Sequence, residues 1–306
     1  MRIDIEAADE RKLNYKKVIL VIGIFLAMLS CVYIGIILPK LVKQGIGNIN
    51  EQKNIIEQNE QRENTLIPQV AVLPENKPVR EEKPYPLINS TGIARINDIY
   101  EATYKRVFLT FDDGPSQKIT PQILEILERY DVKATFFVLG SRVEIYPEIV
   151  KQTYAAGHYI ANHGYSHKYS YLYSSIDNII NEYRRTENVI RNAIGKQDYY
   201  SNVFRFPGGS TGGKYAKIKA RAVRVLAENN IAQLDWNCLN RDAEGVFTKE
   251  ELVQNVIDTS VDKQSVVVLM HDAADKQITC DALPGIIEYF KNNGYVFETL
   301  YDVFDY

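Results

Sequence analysis

Excess positive charge is missing from this sequence. Its 306 residues carry 36 Lys and Arg against 39 Asp and Glu, a net charge of -3. A nucleic-acid binder shows a basic face, so no such partner is expected. Cysteine is scarce: three residues, Cys31, Cys238 and Cys280, are too few for a disulfide scaffold and lack the paired spacing of a zinc ribbon. There is no internal repeat. Histidine is limited to His158, His163, His167 and His271, so the places of these four carry information. What is present is ordinary for a folded chain, with 45% hydrophobic and 25% charged residues, which excludes wholesale disorder.

Hydrophobicity is concentrated at one place. Between Lys17 and Lys40, residues 18–39 form an uncharged run of 22 residues. A helix crosses a bilayer with roughly 20 apolar residues, so the run is expected to be a transmembrane anchor. A buried core helix seldom runs this long without charge, and the apolar part of a cleaved signal is shorter, about 7–15 residues. Leu29-Ser30-Cys31 faintly resembles a lipoprotein cleavage site, but Leu29 is bulky for its position. Arg11, Lys12, Lys16 and Lys17 precede the run and Lys40 and Lys43 follow it. This bias predicts a cytoplasmic tail at 1–17 and everything after residue 40 outside the membrane. Residues 40–103 read as an extended stalk, since five of the eleven prolines fall between Pro68 and Pro86 among Glu and Lys.

From residue 104 to 306 the pattern alternates. Val107–Phe111 is β-prone and ends at Asp-Asp-Gly-Pro. Thr120-Pro121 suggests a helix start, and strands are expected at 134–138, 159–161, 203–206, 231–236, 265–270 and 296–300. Helices are expected at 147–156, 175–194, 215–228, from a Thr248–Glu251 capping box through Val261, and at 283–292. Such alternation implies a parallel α/β sheet, as a barrel or an open doubly wound sheet. Parallel sheets build their sites at the C-terminal ends of strands. Polar residues gather there: Asp112 and Asp113, then His163 and His167, Arg205, Asp235 with Trp236, Asp242, and His271 with Asp272. Adjacent carboxylates after a buried strand repel each other, and a cation would relieve them. A capped turn is the plainer reading. Two histidines four apart would share a face on a helical turn. With one carboxylate they make a three-ligand set that leaves a position for water, as in catalytic zinc. Arg205, between two phenylalanines, is expected to pair with a buried carboxylate.

These segments together resemble the polysaccharide deacetylase family, the NodB-homology domain of carbohydrate esterase family 4. Thr110-Phe111-Asp112-Asp113-Gly114-Pro115, His163-Gly164-Tyr165-Ser166-His167, Arg205-Phe206-Pro207-Gly208-Gly209, Trp236-Asn237 with Asp242, and Leu269-Met270-His271-Asp272 stand in the order of its five motifs. The resemblance implies a distorted (β/α) barrel over 104–306 that removes acetyl groups, mostly N-acetyl, from a sugar polymer. It implies Asp112 as general base, Asp113, His163 and His167 as ligands of a divalent metal (zinc, with cobalt or manganese in relatives), and His271 as general acid. Arg205 would hold Asp112, Asp242 would orient His271, the Gly208 N–H would meet the oxyanion, and Trp236 and Leu269 would line the substrate pocket.

The chain departs from the family at Gly164, where relatives have Ser or Thr, at Gly208, where many have Tyr, and at Leu239 and Ala243. These changes bear on specificity more than on activity. A membrane-tethered enzyme suggests a cell-wall polymer, peptidoglycan first, with chitin, poly-N-acetylglucosamine or acetylated xylan as alternatives. Rival readings are a catalytically silent glycan-binding module and a metal-dependent phosphohydrolase. The former would be expected to lose a base, ligand or acid, and the latter wants more cations than Arg205. Cys238 and Cys280 follow neighbouring strands, so a disulfide is conceivable, with free thiols the safer expectation.

Overall fold

The structure, a computed structural model, describes residues 90–245 and 247–304. The expected anchor at 18–39 and the stalk up to residue 89 lie outside them. Among the described residues no helix is long and apolar enough to cross a membrane.

The strands are β1 (Arg106–Asp112), β2 (Thr135–Val138), β3 (Tyr159–Asn162), β4 (Val203–Phe204), β5 (Ala232–Gln233), β6 (Cys238–Leu239), β7 (Ser265–His271) and β8 (Val296–Phe297). All pairings are parallel, in the order β5-β4-β3-β2-β1-β7-β6. β7 covers one whole edge of β1; β8 therefore shares the other edge with β2, at Arg106–Val107 and Thr110–Asp112 respectively. Among the described residues no pairing joins β5 to β6, so the sheet curls into an unclosed barrel.

Period-two alternation sorts the side chains of β1. Val107, Leu109 and Phe111 face outward into a large apolar cluster. The helices on that side include α2 (Ile119–Arg129), α8 (Lys249–Ser260) and α9 (Gln277–Asn292). Phe108, Thr110 and Asp112 face inward. Phe108 joins a second cluster with Phe137, Tyr159 and Val267. That inner cluster is completed by Ile96 and Ile99, from helix α1 (Ser90–Asn97) and the turn after it, and by Leu300 and Val303 from α10 (Leu300–Val303). The boundary expected at residue 103 is thus too late: Ile96 and Ile99 are fully buried in the folded unit.

Other boundaries move for local reasons. α2 starts at Ile119, and Ser116 rather than Thr120 serves its first turn, its Oγ accepting from the Ile119 and Thr120 N–H groups at 3.2 and 3.4 Å. Thr120 is spent on Asp272. α9 begins at Gln277, six residues before the expected start, and carries Pro284 inside it. The strand expected at 296–300 stops at Phe297, where Thr299 caps α10. Two-residue β6 gave no period-two signal. The capping box at Thr248 is where the sequence places it, and α6 (Ile176–Ile194) starts one residue after the expected 175, with Ser175 as its N-cap. α3 (Gly140–Ile145), α4 (Pro147–Ala155), α5 (Tyr169–Leu172) and α7 (Ala216–Glu228) complete the helices.

Candidate active site

Three strand ends meet inside the barrel. β1 ends in Asp112, level with Phe137 of β2 and His271 of β7. Its carboxylate is buried, and Oδ1 accepts from Arg205 Nη1 at 2.8 Å. Burial pushes the Asp112 carboxyl above the ordinary carboxylate range, and Arg205 opposes the shift without cancelling it.

Arg205 is itself fully buried, and each of its three side-chain nitrogens donates. Nη1 also donates to Thr110 Oγ1 at 2.7 Å, Nε to the Leu234 carbonyl at 3.0 Å and Nη2 to the Asp235 carbonyl at 3.0 Å. Its plane lies 3.9 Å from the Phe137 ring centroid. One guanidinium therefore touches β1 and the exit of β5, four places apart in the sheet, which is feasible only because the sheet curls.

Asp113 follows with φ +75, a left-handed conformation that turns its side chain from the strand direction toward the β3 loop. Its Oδ1 lies 3.5 Å from His163 Nε2 and 3.2 Å from His167 Nε2. The two histidines do not converge through a helical turn, as their spacing suggested. The segment between them is irregular, with Gly164 at φ +82 and His167 at φ +56. Buried Glu182 of α6 holds this turn, accepting from the N–H groups of Tyr165 at 2.9 Å and Ser166 at 3.1 Å and from the Ser166 hydroxyl. Asn162 Oδ1 accepts from the Gly164 N–H. Glu182 gave no motif in the sequence; its burial on an amphipathic helix is the signal that could have found it.

This trio fits a metal. The ligand atoms of Asp113, His163 and His167 lie within 4.8 Å of one another. Tetrahedral ligands about 2.1 Å from an ion stand about 3.4 Å apart, close to the 3.5 and 3.2 Å found here. Asp113 Oδ1 is buried without a hydrogen-bond partner. His163 Nδ1 faces the Arg205 carbonyl at 2.9 Å, which fixes the proton on Nδ1 and turns the Nε2 lone pair toward Asp113. Burial lowers the His163 pKa to about 3, so the ring is neutral. Electron pairs facing each other across a dry gap call for a cation.

His271 ends β7, level with Asp112. Its Nδ1 meets Asp242 Oδ1 at 2.6 Å, and its backbone N–H donates to Asp242 Oδ2 at 2.9 Å. Thr279 Oγ1 donates to the same carboxylate at 2.6 Å. Burial disfavours the imidazolium, yet the bond and charge of Asp242, helped by Asp112 and Asp113, outweigh it and raise the pKa to about 9. Asp242 is held below its ordinary value: burial works the other way, and the His271 contact prevails.

Gly208 and Gly209 both have φ +73. Their turn is tied by Lys219 Nζ to the Gly209 carbonyl at 2.7 Å, and Asp235 accepts from Ser210 N and Oγ. Trp236 is half-buried and packs against Gly209, whose Cβ would come within 3.2 Å of its ring. Leu269 is half-buried, level with Thr110. A cavity of about 320 Å³ opens over Asp113 and His167, walled by Leu139, Ser141, Arg142 and Ile145. Cys238 and Cys280 are free and buried, with thiols raised by burial to about 11 and 12.

The family model described as polysaccharide deacetylase matches residues 100–228. A peptidoglycan-N-acetylglucosamine deacetylase of Bacillus cereus is 32% identical over 224 residues, covering 72% of this chain and 77% of that protein. Among solved structures, a Streptococcus mutans esterase of carbohydrate esterase family 4 superimposes with a TM-score of 0.62 at 32% identity, covering 68% of this chain and 90% of the other. The catalytic domain of a peptidoglycan N-acetylglucosamine deacetylase from Eubacterium rectale gives 0.59 at 31% identity, covering 65% and 90%.

Proposed function

Because this chain belongs to the polysaccharide deacetylase family, hydrolases of carbon–nitrogen bonds in acetylated polysaccharides, we propose that it removes N-acetyl groups from peptidoglycan, foremost from N-acetylglucosamine and next from N-acetylmuramic acid. The observation that carries the reading is the placement of a buried base and a charged acid at the ends of neighbouring strands, with a three-ligand cluster beside the base. The substrate is argued from the B. cereus and E. rectale relatives and from the apolar run at 18–39. We read that run as an anchor that sets the domain outside the cell membrane, with residues 40–89 as spacer.

Asp113, His163 and His167 would hold the metal, zinc by ligand type, with cobalt or manganese as substitutes. A divalent cation supplies polarisation of the acyl carbonyl and a more acidic water. The remaining work falls to the protein. Asp112 accepts the proton of the attacking water; Arg205 keeps its Oδ1 occupied and leaves Oδ2 facing the cluster, 3.7 Å from His163 Nε2. A carboxylate raised by burial is the stronger base for this task. As the water oxygen bonds to the acyl carbon, the carbonyl oxygen takes negative charge and meets the Gly208 N–H. The carbon–nitrogen bond then breaks, acetate forms, and the amine leaves with a proton from His271. That ring is protonated at neutral pH because its pKa is about 9. An amine is a poor leaving group unprotonated, so this transfer decides whether the intermediate goes forward.

Acetate release from purified muropeptides and from chitin oligomers, with chelator and after metal restoration, tests the reading. Wild type is expected to release acetate from muropeptides, and Asp112→Ala to lose at least 10²-fold. No acetate from any acetylated glycan with metal restored would sink it.

A further inference from the structure

Tyr169 stands between the two loops that build the site. It opens α5, two residues after His167, and its ring meets the His167 ring edge-on at 5.4 Å between centroids. On its other side it meets Tyr173 edge-on at 5.6 Å. Tyr173 in turn donates its hydroxyl to the Pro207 carbonyl at 2.6 Å, which ties the same aromatic pair to the Gly208 turn. The Tyr169 hydroxyl reaches that turn itself. A Cβ on Gly208 would come within 2.7 Å of the Tyr169 hydroxyl oxygen and 3.3 Å of its ring. Glycine at 208 is therefore required twice: by its φ of +73, and because the phenol fills the space of a side chain.

Two nearby tyrosines have acceptors for their hydroxyls: Tyr165 donates to Glu144 and Tyr173 to the Pro207 carbonyl. Among the described residues the Tyr169 hydroxyl has no hydrogen-bond partner, and neither has the Gly208 N–H. Two donors without a protein partner thus belong to exposed residues in contact with each other, one of them against His167. A phenol is a donor at neutral pH. Paired N–H and O–H donors suit one chemical species, an oxygen that gains negative charge when a carbonyl becomes tetrahedral.

We propose that Tyr169 is a further catalytic residue: its hydroxyl donates, beside the Gly208 N–H, to the oxygen of the tetrahedral intermediate. The inference rests on the acyl-hydrolysis reading above, and adds a side-chain donor from a separate loop to the backbone donor. No covalent step is added; the hydroxyl keeps its proton throughout. The donor favours the transition state over the flat amide, so its loss falls on kcat rather than on KM.

Tyr169→Phe tests this, because it keeps the ring against His167 and removes the hydroxyl alone. The expected result is a fall in kcat of about 10²-fold with KM nearly unchanged. Binding of an N-acetylglucosamine analogue with a tetrahedral methylphosphonamidate in place of the acetamide should weaken by a similar factor. Analogue affinity is read without turnover, so its outcome does not depend on whether acetylated glycan is cleaved, and acetate release by wild type tests that separately. Elemental analysis should find the same metal content in both proteins. Wild-type kcat in the variant, a loss confined to KM, unchanged analogue affinity, or loss of metal from the variant would each overturn the proposal.

Discussion

At the scale of single residues the site is governed by burial set against partners. His271 is the clearest case. Its folded pKa of about 9 lies above its ordinary 6.5, because the bond and charge of Asp242 exceed the burial cost. An acid must be protonated, so activity is expected to fall as pH rises through about 9. Asp242→Asn should move this descending limb toward about 6.5 and reduce kcat by at least 10²-fold. The stability follows the same sign. The charged ring stabilises the fold fully below about 6.5, and this is lost as pH rises through about 9. Denaturation midpoints of Asp242→Asn should be flat across that window where wild type declines.

Arg205 is the second residue whose surroundings decide its effect. Removing one partner of a buried pair leaves a bare charge, at a cost of about 3–5 kcal/mol. Arg205→Met should show a loss of this size in urea unfolding, and pairing it with Asp112→Asn should restore part of it. Arg205→Lys should rescue poorly, since an ammonium cannot reach Asp112, Leu234 and Asp235 from one plane.

At the scale of elements, α6 positions the cluster from behind. Glu182 binds three donors of the His163–His167 turn, so Glu182→Gln is expected to weaken metal binding by about 10–100-fold, read by competition with a chelator. Thr248→Ala, at the cap of α8, should cost about 1 kcal/mol in unfolding and leave activity alone. Legibility divides along the same line. Asp112, Asp113, His163, His167, Arg205 and His271 were readable because a strand followed by charge has few explanations. The capping box at Thr248 was readable because it is local. The left-handed turn at His167 was not, because a four-residue spacing fits a helix equally well. Glu182 and Thr279 were not, because a polar residue on a helix reads as solvated until the partner loop is known. Two-residue strands such as β4 and β6 are too short for their period to be seen.

At the scale of the whole described domain, the barrel interior is filled from both ends of that domain. Ile96 and Ile99, beside Leu300 and Val303, sit beneath the site. A chain starting at residue 104 lacks two isoleucines from that plug, each contributing about 1.5–3 kcal/mol. It should unfold at lower urea than one starting at residue 88, with the outer helices unaffected. The expected boundary was set by proline and charge, and eight residues of amphipathic helix were too few to stand out against that background.

The single guanidinium that spans the curled sheet has a consequence for timing. Its contacts come from β1 and from the stretch after β5, some 120 positions along the chain. A polypeptide still being synthesised, with that later stretch absent, keeps the Thr110 and Asp112 contacts of the arginine but lacks the Leu234 and Asp235 carbonyls that hold its far side. Hydrolysis of an acetylated polysaccharide is thereby expected to wait until the tertiary structure is complete.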